Sequence, residues 1–404
     1  MTILQINTVA NSGSTGRIAE EIGLLAMQEG MQSFIAYGRW AMPSKSNLIK
    51  ISSKLDCVWH GIESRIFDNH GLCSKRSTKN FISQIEKINP DIIHLHNIHG
   101  YYLNYPILFE YLAKKNIPVV WTLHDCWAFT GHCAYYDFCA CDKWKTQCLD
   151  CPQKNTYPAS FVFDRSAKNY RDKKHCFTMP EKMVTVPVSQ WLAGEVADSF
   201  LQHYQRKVIL NGVDTDVFHP YEQDEMKRKF GWQNKKVLLG VASVWSPRKG
   251  FSDYLELAKV LPADYLIVLV GLSDKQQKML PANMVGIPRT ESVEQLAQMY
   301  SAADIVLNLS YEETFGMTTV EGFACGTPGI AYNKTASPEL FIPGTGHVVA
   351  AGNIDLLNEK IRELVKDGKK QYTALCREHA LAKYRKQDKF QEYIDLYKNL
   401  LAEK

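Results

Sequence analysis

Short apolar runs alternate along the chain with stretches whose apolar residues recur every three or four positions. Residues 3–7 (ILQIN) read as a strand, and 16–30 (GRIAEEIGLLAMQEG) as the helix that follows it. Further strands are expected at 33–38, 91–97, 118–125, 183–189 and 207–212. The pattern then restarts, with strands expected at 236–243, 265–271, 284–287, 304–310, 328–333 and 346–349. Helical patterns lie between the runs. Strands alternating with helices predict α/β architecture with parallel sheets. A polar connection near 213–235 separates the halves, so two doubly wound, Rossmann-like domains are expected: 1–213 and 214–385. Residues 386–404 carry apolar positions at helical spacing, and this last helix is expected to pack back on the first domain. Ligands of such sheets bind beyond the carboxyl ends of the strands, here expected in a cleft where the two domains face each other.

Composition narrows the picture only slightly. At 404 residues and 45% hydrophobic, the chain is long enough for two ordinary domains. Its 47 basic and 43 acidic residues give a net charge of +4, too mild a bias to indicate nucleic acid. No apolar run reaches the length of a membrane span. The N-terminus shows no signal-peptide pattern, so a cytoplasmic, reducing location is expected, where structural disulfides are rare.

The most informative segment is YEETFGMTTVEGFACGTPG, from Tyr311 to Gly329. It follows an expected strand and opens a helix near Thr318. Glu313 and Glu321 are separated by seven residues, and glycines at 316, 322 and 326 allow close backbone approach. A turn of Phe315, Gly316, Met317 and Thr318 at a helix start presents free N–H groups and a positive dipole end to phosphate. Glu321, in the first turns, suits the vicinal hydroxyls of a ribose, and Glu313 the hydroxyls of a second sugar.

This string resembles the E-x7-E signature of family 4 retaining glycosyltransferases with the GT-B fold. The resemblance extends over nearly the whole chain. SVWSPRKGF (243–251) resembles the family's basic motif, which implies that Arg248 and Lys249 hold the donor diphosphate. GSTGRIAEEI (13–22) resembles its N-terminal glycine loop, which implies that Gly13, Gly16 and Arg17 face the donor phosphate or the acceptor. WTLHD (121–125) resembles its strand-end motif, with His124 over the transferred sugar and Asp125 orienting it or meeting the acceptor. NGVD (211–214) resembles the interdomain crossover, and GIPRTES (286–292) stands where the family contacts the nucleobase. Within the family, TLHDCWAFTGHC with the later DKWKTQCLDCP is similar to colanic-acid, exopolysaccharide and O-antigen enzymes. The resemblance implies a UDP- or GDP-sugar donor, transfer of a hexosyl group with retention, no catalytic metal, and a lipid-diphosphate-linked saccharide acceptor. It also implies peripheral contact with the cytoplasmic face of the inner membrane. A nucleotide-sugar epimerase of the same fold and a zinc-knuckle nucleic-acid binder are the competing classes. The Arg-Lys pair with E-x7-E argues against the first, and the balanced charge against the second.

Three other features invite chemistry. HCAYYDFCACDKWKTQCLDCP, from His132 to Pro152, lies in a cysteine-rich insertion (126–152). Cys133, Cys141, Cys148 and Cys151 would make a closed, structural zinc tetrad, with Cys139 as alternative to Cys141. His94 and His96 share a strand face and are expected, with His99, to line the cleft. The basic stretch 164–176 reads as a solvated helix or as an anionic-lipid patch through Arg165, Lys168, Arg171 and Lys173. Asp214 and Asp216 look like a metal-binding pair but are expected to cap a turn.

Overall fold

The computed structural model describes residues 1–402. The chain divides into two compact units. The first comprises Met1–Leu210 with the chain from Lys389 onward, and the second Asn211–Asp388. Both have an open, wholly parallel sheet.

In the first unit seven strands run β1 (Thr2–Asn7), β2 (Gln32–Tyr37), β3 (Asn47–Lys50), β4 (Ile92–Leu95), β5 (Val119–Leu123), β6 (Met183–Pro187) and β7 (Gln205–Arg206). Their order is β3-β2-β1-β4-β5-β6-β7. The chain reverses direction across the sheet between β1 and β4, so the loops leaving these strands diverge and open a crevice at their carboxyl ends. The inner strands β4, β5 and β6 are buried throughout. Helix α1 (Gly13–Gln28) follows β1 and turns Ile18, Ile22 and Ala26 toward Ile3 and Ile92. Helix α2 (Lys54–Phe67) follows β3. The sheet departs from the expected pattern at its edges. β3 is a four-residue strand with two exposed ends, and β7 takes only 205–206, beyond which Lys207 N–H still donates to Thr185 C=O (3.1 Å) and Ile209 N–H to Pro187 C=O (3.2 Å).

The second unit has six strands: β8 (Lys236–Val241), β9 (Tyr265–Val270), β10 (Met284–Ile287), β11 (Ile305–Asn308), β12 (Gly329–Tyr332) and β13 (Gly346–Val349). Their order is β10-β9-β8-β11-β12-β13, so the reversal falls between β8 and β11. The site in this unit lies on the loops that follow those two strands.

The last helix, Lys386–Ala402, contributes Phe390, Tyr393, Ile394, Leu396 and Tyr397 to the core of the first unit, among Ile3, Ile92, Val120 and Val186. Residues 403 and 404 of the expected helix lie outside the described residues. The unit boundaries fall slightly away from the expected ones for a physical reason. Val213 N–H donates to Tyr384 C=O (2.7 Å) and Lys386 N–H to Val213 C=O (3.0 Å), tying both crossing segments into the second unit. Gly212 permits this, because a Cβ there would lie 2.4 Å from the Lys386 Cα.

Candidate functional site

In the second unit, the turn after β8 and the loop after β11 are locked together. Tyr311 N–H donates to Arg248 C=O (2.8 Å), and the Arg248 guanidinium donates to Glu312 C=O. The Lys249 ammonium pairs with the Glu313 carboxylate. Gly250 makes the apposition possible. Its φ is +71°, and a Cβ would sit 2.1 Å from Leu309 C=O. Glu313 is held from both ends of its residue: its N–H donates to Thr335 Oγ1 (2.8 Å), and Thr335 Oγ1 donates to its C=O (2.8 Å). Burial is the largest influence on the Glu313 carboxyl and pushes it up. The nearby charges of Lys249 and Arg248, with hydrogen bonds from Lys249 and Ser310, together outweigh burial and hold it below the usual carboxylate range. Glu313 is therefore an ionised, oriented acceptor at neutral pH.

The loop then enters the helix Met317–Ala324 through Gly316, whose φ of +105° places it in a region that glycine alone enters freely. Phe315 is buried against Tyr384, with ring centroids 5.9 Å apart, so it anchors the turn rather than facing a ligand. Met317 and Thr318 are half-buried at the helix start, where unpaired N–H groups gather. Glu321 is half-buried and accepts from Tyr300 O–H at 2.8 Å. The structure thus brings Arg248, Lys249 and Glu313 together and sets Glu321 on the helix that the same loop opens. Sequence reading missed the residues that hold this arrangement: Gly250, Ser310, Tyr300 and Thr335. Of these, only Gly250 left a signal, as a glycine directly after a basic pair.

In the first unit, His124 and Asp125 follow β5. His124 Nε2 lies 3.1 Å from His96 Nδ1, and His96 Nε2 lies 3.0 Å from Gln5 Oε1. The Gln5 amide nitrogen donates to Ala19 C=O (2.7 Å), which makes Gln5 Oε1 the acceptor. His96 therefore carries its proton on Nε2 and accepts at Nδ1, so His124 carries its own proton on Nε2 and gives it to His96. This chain fixes the His124 tautomer and occupies its N–H. Burial lowers the His124 pKa to about 4, so the ring is neutral. Asp125 accepts from Trp127 N–H (3.0 Å) and pairs with His99 Nε2 (2.9 Å), whose Nδ1 meets Tyr157 O–H at 2.8 Å. Asp125 thus orients His99. At the start of α1, Gly13 takes φ +61° and Gly16 packs under Val9 and Asn11, where a Cβ would sit 3.0 Å from Val9. Arg17 is exposed.

Several expected residues serve other ends. His94 is fully buried and bonds Tyr397 and Thr122, so it holds the last helix to the sheet and lines no surface. Lys173 is also buried: its ammonium donates to the carbonyls of Trp127 (2.7 Å) and Thr130 (3.0 Å). Arg165 is spent on Asp172 (2.9 Å) and Asn169 (2.6 Å). The stretch 164–176 is therefore not a continuous basic face. Asp214 accepts from Asp216 N–H (3.1 Å) and Val217 N–H (3.3 Å), the capping geometry expected of a turn.

The zinc expectation finds no support in the structure. Cys133, Cys141, Cys148 and Cys151 do line one small cavity with Trp144, while the Cys139 thiol turns away to Tyr136 C=O (3.2 Å). Among the described residues, however, no group of three or more His, Cys, Asp or Glu is arranged to hold a metal ion. The thiols instead serve the loop: Cys133 pairs with Cys151 by a side-chain hydrogen bond, and Cys148 Sγ accepts from Gly131 N–H (3.2 Å).

Comparison with known proteins accords with this geometry. Residues 222–380 match the family model described as glycosyl transferases group 1, and residues 29–217 match glycosyltransferase family 4. The protein named as colanic acid biosynthesis glycosyl transferase WcaC from Escherichia coli (strain K12) is 24% identical over 423 residues, covering 99% of this chain and 100% of that one. D-inositol 3-phosphate glycosyltransferase from Mycolicibacterium smegmatis is 30% identical over 157 residues, 36% of each chain. Among solved structures, sucrose-phosphate synthase from Thermosynechococcus elongatus superposes with a TM-score of 0.74 at 16% identity, covering 100% of both chains. Anabaena Alr3699/HepE in complex with UDP-glucose gives 0.67 at 15% identity, covering 99% of this chain and 100% of that one. These likenesses show the fold. Together with the two family matches they establish that the chain is a group 1 glycosyltransferase of the GT-B fold, with a family 4 domain in its first half.

Proposed function

We propose that the enzyme moves a hexosyl group, with retention, from a UDP- or GDP-sugar to a saccharide acceptor carried on a lipid diphosphate, in the synthesis of a bacterial surface polysaccharide at the cytoplasmic face of the inner membrane. The observation that carries this reading is the locked pair of loops in the second unit. Two cations and a helix start are set beside an ionised Glu313. A nucleotide-sugar donor is further supported by the Anabaena neighbour, whose structures hold UDP and UDP-glucose, and a polysaccharide product by WcaC.

In this reading Arg248 and Lys249 hold the donor diphosphate with the N–H groups near Gly316, Met317 and Thr318, and stabilise its charge as the sugar leaves. Glu321, steadied by Tyr300, accepts from the ribose hydroxyls, and Glu313 from hydroxyls of the transferred sugar. The bond from the sugar C1 to the diphosphate oxygen breaks, and the acceptor oxygen bonds to C1 on the same face. The acceptor proton passes to the departing phosphate oxygen. No metal takes part in these steps. His124 contributes its backbone carbonyl, because His96 takes its ring N–H.

Thermal-shift screening of UDP- and GDP-sugars identifies the donor, and proton NMR of the product gives its anomeric configuration. Glu321→Ala is expected to weaken nucleotide binding and Lys249→Ala chiefly to lower turnover. Full transfer by both variants would overturn the site assignment. Consumption of the donor without acceptor, giving an epimerised nucleotide-sugar, would replace the transferase reading.

A further inference from the structure

Helix α2 is inverted. Its inward face is polar and small: His60, Gly61 and Ser64 are buried. His60 Nδ1 lies 2.9 Å from Ser74 Oγ, and Gly71 N–H donates to His60 Nε2 at 3.0 Å. Its outward face is apolar. Leu55 is 82% exposed, Trp59 60% and Ile62 43%, and Val58, Ile66 and Phe67 complete the stripe. The hydrogen bonds of His60 prevent the helix from rolling to bury this stripe. A second segment extends it. Phe161 N–H donates to Arg65 C=O (2.7 Å) and Phe163 N–H to Ile66 C=O (3.1 Å), and the Phe163 ring stacks on Phe67 at 5.7 Å. Phe161, Val162 and Phe163 are each more than half exposed. Isolated exposed apolar residues mean little, but a continuous patch of this kind marks an interaction surface.

The charge around the patch selects the partner. The exposed charged residues of α2 are Lys54 and Arg65, both basic, with Arg65 Nη1 also donating to Gly61 C=O (3.0 Å). Arg39 and Lys50 lie near enough for their charges to act on the Cys57 thiol of the same helix, and Lys154 Nζ donates to Val162 C=O (3.3 Å). Of the nearby acids, Asp56 and Glu63 are half-buried, Glu63 accepting from Asn69, and the exposed Asp164 accepts from Cys151 N–H and Ser166 N–H. A second copy of the chain would bring two basic rims together. An anionic lipid surface meets both the apolar stripe and its rim. At 14 residues α2 is about 21 Å long, too short to cross a bilayer, and no described helix is long and apolar enough to do so.

We propose that the outward face of α2, with residues 161–163, is a docking surface that lies in the interface of an anionic bilayer. This deepens the reading of a lipid-linked acceptor and gives it a location. The inner face of α2 touches the polar cluster beside the acceptor-side residues, with His60 and Tyr101 ring centroids 6.0 Å apart and Tyr101 and Tyr157 6.2 Å apart. Tyr157 in turn bonds His99, the partner of Asp125.

The test is flotation of the full-length protein with vesicles of phosphatidylethanolamine and phosphatidylglycerol, against vesicles of phosphatidylcholine alone. The wild-type protein is expected to float with the anionic vesicles. Trp59→Glu with Ile62→Glu is expected to reduce binding at least tenfold, and Lys50→Glu with Lys54→Glu to remove the preference for anionic lipid. Leu55→Ser, at the most exposed position, repeats the first result with the least risk to folding, which circular dichroism checks. Absence of wild-type flotation, or unchanged flotation of the apolar variants, overturns the proposal. So does a dimer in light scattering that Trp59→Glu converts to monomer. The functional reading fails separately: vesicle binding together with no transfer to any lipid-linked saccharide would leave the surface standing and remove the acceptor.

Discussion

Tyr300 shows how much of the site rests on residues that touch no substrate in the proposed mechanism. It is fully buried, and its hydroxyl steadies the Glu321 carboxylate by a hydrogen bond of 2.8 Å. Tyr300→Phe keeps the packing and removes one charge-assisted hydrogen bond, a loss of roughly 1.5–3 kcal/mol of orientation at that carboxylate. The expected outcome is a raised KM for the donor with kcat little changed. Steady-state kinetics on the variant checks this, and an unchanged KM would show that this hydrogen bond does not orient Glu321 for the donor. Tyr300 was not legible in the sequence, because a tyrosine in an amphipathic helix reads as core, and its partner lies 21 residues away. Glu313 and Glu321 were legible because a single local string carries them. His94 and His96 show the limit of strand periodicity. It places both on one face, and their ring centroids are indeed 4.0 Å apart. It does not say that a helix some 300 residues later covers His94 while His96 reaches His124.

At the scale of elements, the site depends on two loops held at backbone distance. Gly250 is the hinge of that contact. Gly250→Ala places a side chain in left-handed backbone, at a cost of about 1–2 kcal/mol, and drives its Cβ into Leu309 C=O. The loops must separate, so Lys249 and Glu313 lose their register. Transfer is expected to fall at least a hundredfold, the scale set by misplacing a reacting group. The melting temperature should drop by a few degrees. Wild-type turnover in Gly250→Ala would show that the apposition is dispensable. The inner strands were readable because continuous apolar runs belong to buried parallel strands. β3 was not, since an edge strand of four residues with a polar start carries too little pattern. α2 marks a further limit. Spacing shows which residues share a face, but only packing shows that the apolar face points outward.

For the whole molecule, acid is the condition to which the first unit is most sensitive. Burial lowers His60 and His124 to about 4, and lowers His70, His94 and His96 well below the ordinary value; all five lie in the first unit. The unfolded chain takes up these protons near pH 6.5 while the folded chain does not. Stability contributed by a neutral, buried imidazole is therefore complete above pH 6.5 and falls as pH drops from there toward 4. Each such histidine costs roughly 1.4 kcal/mol per pH unit in that window. Glu313 acts at lower pH: its depressed pKa adds stability above the unfolded carboxylate value, lost only as pH falls through its folded one. Chemical denaturation between pH 7 and 5 is expected to show a steep loss of stability, and His94→Gln a shallower one. A pH-independent midpoint over that range would contradict the buried, neutral state of these rings.

The packing of the last helix also sets an order of assembly during synthesis. Most of the first unit precedes the second in the chain, yet Tyr393 and Tyr397, which bond Thr122 and His94, are made after it. The second unit, Asn211–Asp388, leaves the ribosome whole while the first still lacks part of its core. A nascent chain stalled at Asp388 should therefore carry a protease-resistant second unit and a protease-sensitive first one. The residues around His124 would gain their final support only after the whole second unit has been made.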